Sequence, residues 1–558
     1  MEIEEFTRTL NNRTIPLHEM KPIVLGLYCY RQMSDKLEYY MNKVLLKREY
    51  AEEIYDKELW VELQADENGE CIEKNIEIDD DLRIEFRDIN KAKYATEYRK
   101  IKIFTNNYLH YFIEPEYLFS ELIFKLTRNQ EIYEDLIRAF ENISEVLIEY
   151  TELSNLIEEE NESLDKLNIF QNINLKIFED KKGILYDLIK NISRLDFNME
   201  DNNILIANYE YLNNFFANNI KTTEYFTVPS ISKLIAKIVA PKIAKYDRIY
   251  DPTFGIGSTF IEILKETRDL SENKLPTLST YNAATAIHDE IFLDANEINQ
   301  SVYNEAIMNM IIHNVPYYDF DIVNTNTIDH PKEYTYYNFS VITADLPLGL
   351  KYQGNIEKLS KDPRFKEYGK LSKRNTDFLF ILDMIYNLSE EGIIVTTVSP
   401  QTLFAEGLEL NTRKQLIEHN YIEAVIKLAP IYYNTQIEPS LLILKKKRNS
   451  KDILFIDASK EFIKNNRINE LSEENIQKII DTYNNQTETK KFSHIAAIDE
   501  VKSNNYNLDT KMYVNTYEKT NINTEELYLE LKEVKEEIKK NNEELKKFFK
   551  NKENPFGF

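Results

Sequence analysis

The sequence predicts an α/β fold: a doubly wound parallel sheet with helices on both faces, an N-terminal helical region before it and a helical tail after it. Three observations predict this. Between about residues 196 and 470, short β-branched runs alternate with helical stretches, the pattern of a parallel sheet covered on both sides. Within it, Ile249-Tyr250-Asp251 is an apolar run ending in an acid, and Pro252-Thr253-Phe254-Gly255-Ile256-Gly257-Ser258 follows as a tight turn with G-x-G leading into a helix. A doubly wound sheet builds a nucleotide-type site at its first strand-to-helix turn in this way. The chain has only 11 glycines in 558 residues, so two within a three-residue window carry information.

Residues 1–195 read as mainly helical. Ile23, Val24, Leu27, Tyr30, Leu37 and Met41 recur at roughly helical spacing. Ser34-Asp35 interrupts the stripe, and Asp35 is expected to cap a new helix there. The acidic clusters Asp79-Asp80-Asp81 and Glu158-Glu159-Glu160 read as solvated surface.

In residues 196–470 the expected strands are Arg248 to Tyr250, Ala286 to Leu293, Ser340 to Thr343, Gly392 to Val398, Ala424 to Leu428 and Ser440 to Leu444. The helix after the glycine turn is expected from Ser258 to about Leu270. Residues 471–558 end in a heptad seam: Leu527, Leu531, Val534, Ile538, Asn541, Leu545 and Phe548. Such a helix either folds back on its own chain or docks on a partner.

Composition excludes several classes. The hydrophobic content of 42% is that of a folded chain, and 2 cysteines are too few for a disulfide framework. The N-terminus has no basic-then-apolar leader, and no run approaches the ~20 apolar residues that span a bilayer. The expectation is a cytoplasmic protein without a membrane contact or a metal constellation. A net charge of −26 repels phosphate backbones on average. Work on nucleic acid then requires a local basic strip or a partner that brings the DNA-binding surface.

The chemistry lies in the turns. Backbone N–H groups around Gly255 to Ser258 are expected to face a ligand, because glycine lets backbone approach closely. A Walker phosphate loop needs lysine after the turn, and Gly257-Ser258-Thr259 has none. A pyrophosphate site prefers a third glycine where Phe260 stands. The turn suits a ligand without phosphates, such as S-adenosylmethionine. Glu297, after the second strand, is placed to accept from ribose hydroxyls or is an ordinary surface acid. Asp345-Leu346-Pro347-Leu348, after a further strand, offers Asp345 as acceptor for an amino group, or Asp345 is structural.

Together these residues resemble the modification (M) subunit of type I restriction-modification systems, an N6-adenine DNA methyltransferase family. The resemblance runs through Met20 to Leu27, Met33 to Glu38, Tyr209 to Leu212, Phe226-Thr227-Val228-Pro229, Asp251 to Gly257, Asn296-Glu297-Ile298-Asn299 and Asn326-Thr327. It continues at Asp362 to Phe365, Asp377 to Phe380, Arg413 to Glu418, Ala424 to Leu428, Leu442 to Lys446, Ile456 to Ser459 and Tyr506 to Leu508. It implies a Rossmann-like S-adenosylmethionine-dependent methyltransferase core at 196–470 between an N-terminal helical domain at 1–195 and a C-terminal segment at 471–558 that docks on a partner.

It also implies that Asp251, Pro252, Gly255, Gly257, Ser258, Glu297 and Asn326 line the cofactor pocket, with Phe226, Thr227 and Pro229 on its approach. Asp345, Pro347 and Leu348 would form the catalytic loop. The implied partners are a specificity (S) subunit, a second M subunit, a restriction (R) subunit in some complexes, and double-stranded DNA. The family's loop reads Asn-Pro-Pro-Phe. Here Leu346 replaces a stiffening proline, and Leu348 lacks a ring worth about 1–3 kcal/mol in base stacking. At ~1.4 kcal/mol per tenfold, that is a roughly 5- to 150-fold slower reaction. The second reading is therefore an M-like scaffold that is weak or silent in catalysis.

Overall fold

A computed structural model describes residues 2–11, 15–41, 105, 109, 111–143, 169–170, 173–195, 202–220, 228–244, 246–267, 291–315, 319–330, 338–432, 435–465, 468–515 and 531–543. The chain divides into two compact units, Met1–Val514 and Asn515–Phe558.

The first unit begins with helices α1 (Ile3–Asn11) and α2 (Leu17–Tyr40), followed by α3 (Phe119–Thr127), α4 (Lys182–Ser193) and α5 (Asn202–Asn219). Contrary to expectation, α2 does not break at Ser34-Asp35. Ser34 Oγ is instead an acceptor for the Phe119 backbone N–H at 2.7 Å, and Asp35 pairs with Arg31 one turn earlier at 3.1 Å. With Ser34 bonded to the next helix and Asp35 paired within α2 itself, nothing forces a new cap.

Helix α6 (Pro229–Val239) leads to the sheet. Its elements follow in order: β1 (Asp247–Asp251), α7 (Ser258–Thr267), β2 (Ile291–Glu297), α8 (Gln300–Ile312), β3 (Phe320–Asn324), β4 (Phe339–Ala344), α9 (Asp377–Asn387), β5 (Leu388–Val398), α10 (Leu408–Glu418), β6 (Ile422–Leu428), β7 (Ser440–Lys445) and β8 (Ile453–Ala458). A small ribbon of β9 (Ile463–Asn465) and β10 (Ile468–Glu470) precedes α11 (Glu473–Asn485) and β11 (Ser493–Ala496).

The nine-stranded sheet has the order β11-β8-β6-β7-β5-β4-β1-β2-β3. Strands β3, β2, β1, β4 and β5 are parallel, but β7 runs antiparallel to both β5 and β6. The all-parallel expectation fails there for a simple reason. Parallel neighbours need a long crossover, usually a helix. The described residues between β6 and β7, 429–432 and 435–439, form no helix, and the link is too short for a helical crossover.

Alternate strand residues go to opposite faces. Ile249, Val341, Ile393, Ala424, Leu441 and Leu454 join one apolar cluster, and their neighbours Tyr250, Ile342, Ile394, Val425, Leu442 and Phe455 join another. The first cluster also takes in α2, α4 and α5. The strand order reverses between β1 and β4, so the ligand crevice of such a sheet opens beyond the carboxyl ends of these two strands.

Of the second unit, residues 531–543 form a helix on which Leu531, Val534 and Ile538 are 51%, 51% and 54% exposed. Asn541 is exposed on the same helix, and Leu527, Leu545 and Phe548 lie outside the described residues.

Candidate active site

Asp251 closes β1 and is buried. Its Oδ1 accepts from Thr253 N–H at 2.9 Å, which folds the chain into the turn. Burial, with repulsion from Asp345 and Glu297, holds its carboxyl well above the usual range against the hydrogen bonds from Thr253 and Thr343.

Both glycines are required by the backbone. Gly255 has φ +58° and Gly257 has φ +81°. A Cβ on Gly257 would lie 2.6 Å from the Phe254 ring and 2.7 Å from Met310. One on Gly255 would meet nothing within 4 Å, because that side of the turn faces open space.

The N–H groups do not all face that space, as the sequence led us to expect. Gly257 N–H closes the turn on Phe254 O at 3.0 Å, and Gly255 N–H donates to Glu297 Oε2 at 2.9 Å. Glu297 Oε1 accepts from Asn299 N–H at 2.8 Å, so the carboxylate buttresses both the turn and the start of α8. Two N–H groups of the turn are therefore committed to the protein and cannot cradle a phosphate. Gly255 is bonded to the Glu297 carboxylate, and the Asp251 carboxylate caps the start of the same turn. This set fits S-adenosylmethionine, whose sulfonium is cationic and which carries no phosphate.

Other expected residues lie in and around the same turns. Pro252 O accepts from Thr327 Oγ1 at 2.6 Å. The Asn326 side chain is engaged in its own turn: Oδ1 accepts from Ile328 and Asp329 N–H at 3.0 and 3.2 Å. Ser258 is the first residue of α7, and Pro229 the first of α6, whose Ser232 hydroxyl lies 3.3 Å from Thr259 in α7. Phe226 and Thr227 lie outside the described residues.

Across the switch point, β4 delivers Asp345. Its carbonyl accepts from Thr253 Oγ1 at 3.4 Å, which ties this loop to the glycine turn. Its Oδ1 accepts from Thr397 Oγ1 at 2.6 Å and from the Tyr432 hydroxyl. Burial, then the Asp345 charge, pushes the Tyr432 phenol well above its usual value, so it stays a donor. Pro347 is half-buried. Leu346 and Leu348 are 2% and 4% exposed and enter the two apolar clusters, one on each side. Leu346 N–H donates to Thr397 Oγ1 at 2.9 Å.

Three residues escaped the sequence reading. Thr397 and Tyr432 stand 52 and 87 positions from Asp345, with no local pattern to join them. Arg364 belongs to the Asp362-to-Phe365 stretch, but nothing local in the sequence signals its role. It is 5% exposed and donates to Thr327 O at 2.7 Å, Ile328 O at 2.8 Å and Asp383 Oδ1 at 2.8 Å. Asp383 Oδ2 in turn accepts from the Tyr250 hydroxyl at 3.1 Å. Arg364 therefore fastens the Asn326 turn to α9 and β1. Among the described residues, no group of His, Cys, Asp and Glu is arranged to hold a metal, and no helix is long and apolar enough to cross a membrane.

Comparisons with known proteins show the family. Residues 200–521 match the N-6 DNA Methylase family. The chain is 31% identical over 430 residues to the type I restriction enzyme MpnII methylase subunit of Mycoplasma pneumoniae, covering 73% of this chain and 75% of that protein. It is 28% identical over 407 residues to the MjaVII methylase subunit of Methanocaldococcus jannaschii, covering 69% of this chain and 65% of the other. The fold superposes on a type I restriction-modification methyltransferase subunit from Streptococcus thermophilus with a TM-score of 0.71, at 24% identity, over 92% of this chain and 98% of that one. The chain belongs to the N-6 DNA methylase family, and its cofactor is S-adenosylmethionine.

Proposed function

We propose that this chain is the modification subunit of a type I restriction-modification complex and methylates adenine N6 in DNA. The observation that carries the reading is the Thr253 bridge, which sets the acceptor loop and the glycine turn side by side at the β1/β4 switch point. S-adenosylmethionine supplies an electrophilic methyl group. Asp251, Gly255, Gly257 and Glu297 hold the donor, with Pro252, Ser258 and Asn326 shaping the pocket around them and Phe226, Thr227 and Pro229 on its approach. Asp345 accepts a hydrogen bond from the amino group and orients its lone pair for in-line attack. Thr397 and Tyr432 hold one carboxylate oxygen, and Pro347 shapes the turn.

Partner docking falls to the C-terminal helix, with its half-exposed apolar residues. The specificity subunit, a second copy of this chain, and a restriction subunit where present would complete the assembly around double-stranded DNA. A net charge of −26 supports a partner that reads the site.

The silent-scaffold reading is favoured by one observation: Leu346 and Leu348 turn into the core, so the loop offers no ring to a base. Restoring the family loop with Leu346→Pro and Leu348→Phe is not a clean test. Proline would remove the N–H that donates to Thr397, and phenylalanine would overfill a closed site. The direct test is methyl transfer by the wild-type chain with its specificity subunit, read as N6-methyladenine. Transfer supports the methylase. Cofactor uptake without transfer supports the scaffold.

A further inference from the structure

The chain is strongly acidic, yet the segment immediately after the acceptor loop is not. Residues 349–374 contain eight Lys and Arg against three Asp and Glu, a net of +5 in a protein of net −26. The rest of the chain therefore carries −31. Lys351, Lys358, Lys361, Lys366, Lys370 and Arg374 are all exposed. None of these six forms an ion pair among the described residues. One of the three acids, Asp362, is already neutralised by Arg364 within the segment.

The strip is also held in place. Its two ends are laced together behind the acceptor loop: Tyr352 N–H donates to Lys373 O at 2.9 Å, and Thr376 N–H donates to Leu350 O at 3.1 Å. Lys373 Nζ reaches Gly354 O at 2.8 Å. Buried Arg364 and the Tyr352 hydroxyl anchor the middle to the turn at 326–329, beside the cofactor side of the crevice. A flexible lysine tail would need none of these contacts.

We infer that residues 349–374 form a DNA-backbone contact that grips phosphates flanking the base presented to Asp345. The inference rests on the methylase reading and adds where this chain itself meets the duplex. At physiological salt, charges interact over roughly 8 Å, so the distant acids that make the chain repulsive overall are screened. A duplex presents a charge about every 1.7 Å along its axis, dense enough to engage several lysines of one strip.

The test uses the complex of this chain with its specificity subunit. Lys358→Gln, Lys361→Gln, Lys366→Gln and Lys370→Gln are combined, and affinity for a duplex that the wild type methylates is followed against salt. The slope of log affinity on log salt falls by about 1 for each lysine that meets a phosphate, so the variant should lose at least about 2. KM for DNA rises about tenfold while kcat at saturating DNA and uptake of S-adenosylmethionine stay unchanged. A control pair, Lys447→Gln with Lys451→Gln, lies in the link between β7 and β8, at the opposite end of the strands from the acceptor loop, and leaves the slope alone. An unchanged slope in the fourfold variant overturns the inference. So does a variant whose only defect is failure to assemble with the specificity subunit, which would make the strip a protein contact. A wild type that takes up no cofactor and transfers no methyl group defeats the methylase reading instead, and is read before any variant is compared.

Discussion

The two sides of the crevice are built by different means. The donor side is backbone: two glycines at positive φ and a carboxylate that bonds to main-chain N–H. The acceptor side is side chain: a carboxylate held by two hydroxyls, one from β5 and one from the segment after β6, over leucines sunk in the core. Backbone geometry tolerates no substitution at Gly257, whereas a side-chain acceptor tolerates any group that offers an oxygen at the same place. A change at Leu346 or Leu348 therefore bears first on the acceptor loop, not on the backbone of the donor turn.

The sharpest break between the two sides is Asp345→Ala. Removing the acceptor should lower kcat by about 10²- to 10³-fold, while calorimetry still finds S-adenosylmethionine bound. Asp345→Asn keeps an oxygen for Thr397 and Tyr432 and should retain transfer within about tenfold of wild type, since the lost charge costs about one charge-assisted hydrogen bond's surplus. Equal losses in both variants would mean that Asp345 does more than accept.

Gly257→Ala attacks the other side. Backbone strain of about 1–3 kcal/mol adds to the collision with the Phe254 ring, so cofactor affinity should fall at least ~10- to 100-fold, with a lower Tm. Tyr432→Phe removes one donor to a charged oxygen, worth about 1.5–3 kcal/mol, and should cost roughly tenfold or more in kcat while leaving cofactor affinity alone. A loss of fold without a change in the kcat of the remaining folded enzyme would make Tyr432 purely structural.

The smallest effect is a pH dependence. Asp251 is pushed well above the usual carboxylate range by burial, so part of the free protein carries it protonated as pH falls. A cationic donor favours the ionised form. Affinity should rise with pH through that raised value and then level off, and binding should release protons, seen as a buffer-dependent heat. The sign for folding is opposite. A carboxyl raised in the folded state loses stability as pH climbs from its unfolded value to its folded one. Asp251→Asn should flatten both profiles.

Much of this was legible in the sequence. Strands β1, β4, β5, β6 and β7 were found as β-branched runs, and Asp251, Gly255 and Gly257 as a turn that only glycine can make. Strand β3 escaped because Phe320-Asp321-Ile322-Val323-Asn324 is short and half polar, and β7 was expected parallel because direction is set by the link, not by the strand. The acceptor side was half legible. Asp345 announces itself at a strand end, but the hydroxyls that hold it come from β5 and from beyond β6, and only the folded sheet brings them together.

The most direct test of the donor site is calorimetric titration of the full-length chain with S-adenosylmethionine, with its specificity subunit present. One equivalent should bind per chain in the wild type and in Asp345→Ala, with greatly weakened uptake in Gly257→Ala. No uptake by the wild type would contradict the donor site.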